Sequence, residues 1–186
     1  KNNNQSIIFS CYNLIVKATY GQIIMTLFLR KIPLYFLLFP ITTVLILAMT
    51  NLGEIEINVI WFPLLLAVLF SLTFFLLGWF ILRDLQRASL ISFIFSLFGL
   101  TYGHFFNLMN GRIIGNWVIG THFTSAIIWG ILSIICLSTC IFIIHNFDNL
   151  NLILNILMLF LTIFHIGYLS IYQIRDNVLA ASSDTS

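Results

Sequence analysis

Five long apolar runs dominate the pattern of hydrophobic and polar positions along the chain. They cover residues 32–51, 59–82, 88–109, 123–144 and 152–172. A hydrocarbon core of about 30 Å needs roughly 20 apolar residues in a helix, and each run is long enough. The runs lack the alternation typical of membrane barrel strands, and a helix satisfies its own backbone polar groups in lipid. The pattern therefore predicts an all-α, polytopic transmembrane helix bundle with five spans.

The segment before the first run is ambiguous. Residues 7–29 are moderately apolar but include Lys17 near their centre. A lysine in the middle of a span costs about 2.5–3.5 kcal/mol on insertion scales. A sixth span and an interfacial helix are both open, and we favour a helix at the cytoplasmic membrane surface.

The chain divides into three parts by composition. Residues 1–31 form an N-terminal cytoplasmic or interfacial segment, and residues 32–172 form the five-helix transmembrane domain. Residues 173–186 turn abruptly polar, which is typical of a linker. We expect this last part to be an extracytoplasmic tail or a linker to a further domain.

The composition excludes several classes of protein. Charged residues are 8% of the chain and the mean hydropathy is +1.06, whereas about a quarter of residues in soluble domains are charged. The net charge of +2 is too small and dispersed to indicate a nucleic-acid partner. The predicted partner is the lipid bilayer.

Lysine and arginine residues predict how the protein sits in the membrane. If the five helices alternate in direction, six of these residues lie on one side, namely Lys1, Lys17, Arg30, Lys31, Arg83 and Arg87. The other side receives Arg112 and Arg175. Cytoplasmic loops are enriched in lysine and arginine. We therefore expect a multi-pass cell-membrane protein with a cytoplasmic N-terminus and an extracytoplasmic C-terminus.

Small and polar residues recur at a spacing of three and four along the third span. They are Ala88, Ser92, Ser96, Gly99, Gly103 and Asn107. This spacing places them on one helix face, and Gly99 and Gly103 form the G-x-x-x-G pattern that lets two membrane helices approach closely. We interpret the face as a helix-packing seam in preference to a ligand site.

Three histidines provide the candidate chemistry. In the expected topology His104, His122 and His165 all lie towards the outside, with Asn107 close to His104 in sequence. Converging imidazoles can bind a metal ion, but no H-x-x-x-H spacing supports that here. We predict hydrogen-bonded histidines at a possible outer polar site, with no metal and no cofactor.

A polar stripe is expected on the fifth span. Asn155, Thr162 and His165 share one face of the helix and should point into the bundle. The chain has no nucleophile motif, phosphate-binding loop or zinc-protease motif. We therefore predict no catalytic residues within it.

Several motifs resemble a known family. They are PLYFLLFP from Pro33, AMTNLGEI from Ala48, LRDLQRASLIS from Leu82 and FGLTYGHFFNL from Phe98. Together they resemble the N-terminal membrane module of bacterial sulfatase-like hydrolases of the alkaline-phosphatase superfamily, which includes lipoteichoic-acid synthases and phosphoethanolamine transferases. The resemblance implies that an outward-facing catalytic domain follows the membrane helices, with its nucleophile and metal ligands beyond Ser186.

Two hypotheses for function follow. The first is a membrane-anchoring module of an extracytoplasmic sulfatase-like or phosphotransferase-like envelope enzyme, which would be inactive by itself. The alternative is a stand-alone small integral membrane protein, either a subunit of a complex or a transporter-like bundle with an outer histidine site.

Overall fold

The fold is a bundle of helices joined by short connections. The computed structural model describes residues 20–52, 54, 57–114, 117–118, 120–144 and 146–183. The helices in this part of the chain are α1 (Tyr20–Lys31), α2 (Tyr35–Thr50), α3 (Trp61–Leu82), α4 (Leu85–Met109), α5 (His122–Ile143) and α6 (Phe147–Ser183). One 3₁₀ turn, Ile57–Ile60, leads into α3. A two-residue antiparallel ladder, β1 (Ile113–Ile114) with β2 (Trp117–Val118), lies between α4 and α5.

The prediction of an all-α bundle of membrane-spanning helices is confirmed. The helices α3, α4, α5 and α6 are each long and apolar enough to cross a membrane. The helices α1 and α2 meet the same criterion as a pair, but they are bent by 89° at their junction. The described chain thus holds four spanning helices, or five when the bent pair counts as one span.

The first predicted span begins later than its apolar run suggests. Residues 32–34 form the bend, and α2 has only 16 residues. Pro33 accounts for the break, because proline has no backbone N–H and disfavours helical geometry in the residue before it. Residues 7–19 of the ambiguous N-terminal segment lie outside the described part of the chain.

The turn between α3 and α4 is only two residues long. Arg83 ends α3 in the left-handed conformation, with φ of 51°, and its N–H donates to the Trp79 carbonyl at 2.8 Å. Asp84 then caps α4 by accepting hydrogen bonds from the N–H groups of Gln86 and Arg87 at 2.9 and 3.3 Å. So short a turn makes α3 and α4 antiparallel neighbours.

The helices α2, α3 and α4 pack against one another, α6 packs on α2, and α5 packs on α4. Aromatic contacts hold α5 in place. Trp129 stacks on Phe105 with ring centroids 4.2 Å apart, and its indole N–H donates to the Phe98 carbonyl at 2.7 Å. Ser125 is the one buried residue among those described in α5. Most side chains of this helix are therefore open to contact with lipid.

The helices α2 and α6 run parallel. Tyr35 bonds Asn155 and Thr42 bonds Thr162, and in both pairs the partners are 120 positions apart. Further along both helices, one or two turns after Thr42 and Thr162, Leu45 and Ala48 of α2 pack with Leu169 of α6. A constant separation between partners requires two helices that point the same way. Since α6 is long enough to span a membrane, α2 passes through much of the same depth.

The last helix is longer than its apolar run. It has 37 residues and continues to Ser183, although the composition becomes polar after Tyr172. The segment for which the composition predicts a linker is therefore helical from Gln173 to Ser183.

Candidate functional site

The break between α1 and α2 leaves backbone groups without helical partners. A helix end leaves its last carbonyl groups unbonded, and the following helix begins with unbonded N–H groups. Buried groups of this kind cost free energy unless another donor or acceptor reaches them. In this bundle three amide side chains from α4 and α6 reach the break. We call Gln86, Asn151 and Asn155 the amide cluster.

Asn155 bonds both sides of the break. Its side-chain N–H₂ donates to the carbonyls of Leu29 at 2.8 Å and Ile32 at 2.7 Å. Its Oδ1 accepts from the backbone N–H of Tyr35 at 2.8 Å. The side chain is fully buried. One residue of α6 therefore joins the end of α1 to the start of α2.

Asn151 and Gln86 satisfy the carbonyls between those two. Asn151, one turn before Asn155, donates to the Arg30 carbonyl at 2.9 Å and also contacts Oε1 of Gln86. Gln86 donates to the Lys31 carbonyl at 3.0 Å. Asn151 is fully buried, and its Oδ1 has no partner among the described residues. The cluster ties α1, α4 and α6 together at one end of the bundle.

Charged residues surround the amide cluster at this end. Lys31 pairs with Asp148 at 2.8 Å, and Arg87 pairs with Asp84 at 3.4 Å. Arg30 and Arg83 belong to the same end, because they border the α1–α2 bend and the α3–α4 turn. We call this end of the bundle, with Arg30, Lys31, Arg83 and Arg87, the basic end.

The chemistry of the amide cluster is structural. Carboxamides do not titrate and are poor nucleophiles, so the cluster cannot carry acid, base or nucleophilic catalysis. Its hydrogen bonds stabilise the sharp bend between α1 and α2, which we call the corner.

The polar stripe predicted for the fifth span is buried as expected. Asn155, Thr162 and His165 are between 0% and 7% exposed. Thr162 bonds Thr42 at 2.7 Å, and its hydroxyl also donates to the Met158 carbonyl of its own helix. Nδ1 of His165 lies 2.6 Å from the Leu161 carbonyl. The stripe lies between α6 and α2, where it serves helix packing.

The other predicted outer residues lie elsewhere. His104 and Asn107 are exposed on α4. His122 stacks on Phe106 with centroids 3.6 Å apart, and its carbonyl accepts from the Tyr102 hydroxyl at 3.1 Å. Within the described ranges no three histidine, cysteine, aspartate or glutamate residues form a group that could hold a metal ion. The three histidines thus do not form one ligand set.

The predicted seam on α4 divides into two halves. Ala88, Ser92 and Ser96 are fully buried. The hydroxyls of Ser92 and Ser71 lie 2.9 Å apart, and Ser92 also donates to the Ser71 carbonyl at 2.6 Å. In the other half, Gly99, Gly103 and Asn107 are exposed. The Ser92 contact joins the buried half of the face to α3, and Gly99 in the exposed half also lies beside the Phe70 ring of α3.

The two glycines of the G-x-x-x-G pattern differ in their surroundings. A Cβ on Gly99 would lie 3.0 Å from the Phe70 ring, whereas a Cβ on Gly103 meets no described atom within 4 Å. We expect Gly103→Leu to leave thermal stability in detergent unchanged and Gly99→Leu to lower the unfolding free energy by about 1 kcal/mol, because the Phe70 ring must move. A large loss for Gly103→Leu would show that this face packs against another chain.

Sequence reasoning missed Gln86 and Asn151 as packing residues. Asn151 and Asn155 carry a visible signal, since their i, i+4 spacing places two amides on one face where a spanning helix begins. The signal for a break was Pro33. Nothing in the sequence links the two, because they are more than a hundred positions apart.

Comparison of the chain with protein-family profiles, curated proteins and solved structures finds no match.

Proposed function

We propose that the chain is the membrane-anchoring module of an extracytoplasmic bacterial envelope enzyme of the sulfatase-like or phosphotransferase-like type. In this proposal the module fixes the enzyme at the membrane and carries no catalytic residues. The resemblance of four sequence motifs between residues 33 and 108 to such modules suggests the enzyme class. The observation that supports an anchoring role is the length of α6.

The helix α6 is the longest of the described helices. Its last buried residue in the described packing is Leu169, and the helix continues to Ser183. At about 1.5 Å per residue, roughly 20 Å of helix follows Leu169. A continuous helix of that kind suits a connection that holds an attached domain at a set distance from the bilayer.

The distribution of charge supports an outward direction for this extension. Four of the described lysine and arginine residues lie at the basic end, and Arg112 and Arg175 lie at the other end of the bundle. Under the positive-inside rule the basic end is cytoplasmic. Since α6 begins at the basic end and runs parallel to α2, its C-terminus then lies outside.

The orientation is tested with two reporter fusions in bacteria. We expect alkaline phosphatase to be active when fused after Ser186, and green fluorescent protein to fluoresce when fused after Arg83. The control exchanges the two reporters between the sites, and both should then be inactive. Activity in the exchanged pair would contradict the proposed orientation.

The enzyme part of the proposal is tested separately, by the reading frame that follows the codon for Ser186. An in-frame domain with a Thr or Ser nucleophile and metal-binding Asp and His residues would support it. A stop codon would overturn the anchoring role and favour the alternative, a stand-alone membrane protein.

A further inference from the structure

The basic end carries more positive charge than its own carboxylates neutralise. It brings together Arg30 and Lys31 from the end of α1 with Arg83 and Arg87 from the α3–α4 turn. Asp84 and Asp148 are the carboxylates described at this end, and they pair with Arg87 and Lys31. Arg30 and Arg83 have no carboxylate within ion-pair distance among the described residues, so two guanidinium groups are free to bind an anion.

The helix α1 meets this end at the angle expected of an interfacial helix. It lies at 89° to α2, and α2 runs parallel to the spanning helix α6. In a membrane crossed by α6, α1 therefore lies close to the membrane plane. Its apolar side chains are open to the surroundings, with Ile24 at 65% and Met25 at 59% exposed. An exposed apolar helix at this position is suited to the boundary between headgroups and acyl chains.

A groove on α1 combines polar and apolar side chains. Gln22, Thr26 and Arg30 follow one another at i, i+4 spacing along one face, and with Ile23 and Leu27 they line a groove of about 370 Å³. The Thr26 hydroxyl donates to the Gln22 carbonyl at 2.8 Å, so the Gln22 amide and the Arg30 guanidinium are the groups that suit a phosphate and its ester oxygens. The two aliphatic residues suit hydrocarbon. A ligand that matches both must itself be amphipathic.

We propose that the basic end binds the headgroups of anionic phospholipids, with Arg30 and Arg83 as the cations that contact the lipid phosphate. The ligand is a lipid of the surrounding bilayer, because free phosphate has no apolar part to contact Ile23 and Leu27. The proposal goes beyond the anchoring role and does not depend on it. It assigns the module a preference for anionic lipid at the end where α1, α4 and α6 are tied together.

The experiment compares two double variants of the full chain, purified in a mild nonionic detergent. Arg30→Gln with Arg83→Gln removes the two unpaired cations of the basic end. Arg112→Gln with Arg175→Gln is the matched control, since it removes two arginines from the opposite end. Binding of phosphatidylglycerol and of phosphatidylcholine is measured by native mass spectrometry and by the shift of the thermal unfolding midpoint.

We expect the basic-end variant to bind phosphatidylglycerol about 30-fold more weakly than the unaltered chain, from about 1 kcal/mol for each arginine. The control variant should retain its binding, and phosphatidylcholine should bind all three proteins alike. Equal losses in the two double variants would overturn the proposal. So would an equal stabilisation by inorganic phosphate, which would identify a simple anion site.

A salt titration of the unaltered chain gives a second test that does not depend on the variants folding. Headgroup binding by exposed arginines is screened by salt. Added sodium chloride should therefore weaken the binding of phosphatidylglycerol and leave that of phosphatidylcholine unchanged. Binding of phosphatidylglycerol that is insensitive to salt would contradict a charge-based site.

Discussion

Replacing Asn155 with leucine should lower the unfolding free energy of the bundle by about 2–4 kcal/mol. The substitution places an apolar side chain of similar size on α6 and removes the hydrogen bonds to the Leu29 and Ile32 carbonyls and to the Tyr35 N–H. An unsatisfied buried polar group costs about 1–3 kcal/mol in soluble proteins and less inside membranes, where other partners are found. The loss of stability is measured by unfolding the protein in detergent with increasing amounts of dodecyl sulfate and following its helicity by circular dichroism.

The matched control is Asn149→Leu on the same helix. Asn149 is exposed, so the same chemical change there should alter stability by no more than about 0.5 kcal/mol. The corner itself gives a second readout, because losing Asn155 frees the end of α1. Trypsin should then cleave after Arg30 and Lys31 faster in Asn155→Leu than in Asn149→Leu. Equal stability and equal cleavage in the two variants would rule out the amide cluster as the support of the corner.

The corner shows which part of the fold could not be predicted from the sequence. Pro33 marks a break in an apolar run, and Asn151 and Asn155 mark a polar face on the last span. The direction of the break depends on which helices lie beside it, and Asn155 is 120 positions from Tyr35 in the chain. Only the packing of α6 on α2 brings these residues together. The elements were predictable from the local pattern, whereas their pairing was not.

The polar stripe of α6 and the seam of α4 show the same difference between what the local pattern predicts and what depends on helix pairing. The spacing of Asn155, Thr162 and His165 predicted a buried face, because any polar face on a spanning helix is better placed inside the bundle. The spacing could not distinguish the packed half of the α4 face from the exposed half that contains Gly103. That difference depends on how far α3 follows α4, because the Phe70 ring of α3 still lies beside Gly99, whereas a Cβ on Gly103 meets no described atom within 4 Å.

The last prediction concerns Gly78 of α3, which lies close to the backbone of α4. A Cβ placed on Gly78 would lie 3.3 Å from Cα of Ala88 and 3.5 Å from Cδ1 of Ile91. Ala88 is fully buried, and the atom nearest to the added Cβ belongs to the main chain, so it cannot rotate away as a side chain could. We expect Gly78→Leu to lower the unfolding free energy by about 3 kcal/mol through overpacking.

The control for Gly78 is Gly167→Leu, because a Cβ on Gly167 meets no described atom within 4 Å. Its stability should match that of the unaltered chain, measured by the same unfolding in detergent. Gly78→Ala should fall between the two, since one methyl group needs a shift of only a few tenths of an ångström from its neighbours. A decrease in stability in the order Gly167→Leu, Gly78→Ala, Gly78→Leu would confirm a close contact between α3 and α4 at Gly78. If Gly78→Leu were as stable as Gly167→Leu, α3 and α4 would have to be free to separate despite the short turn that joins them.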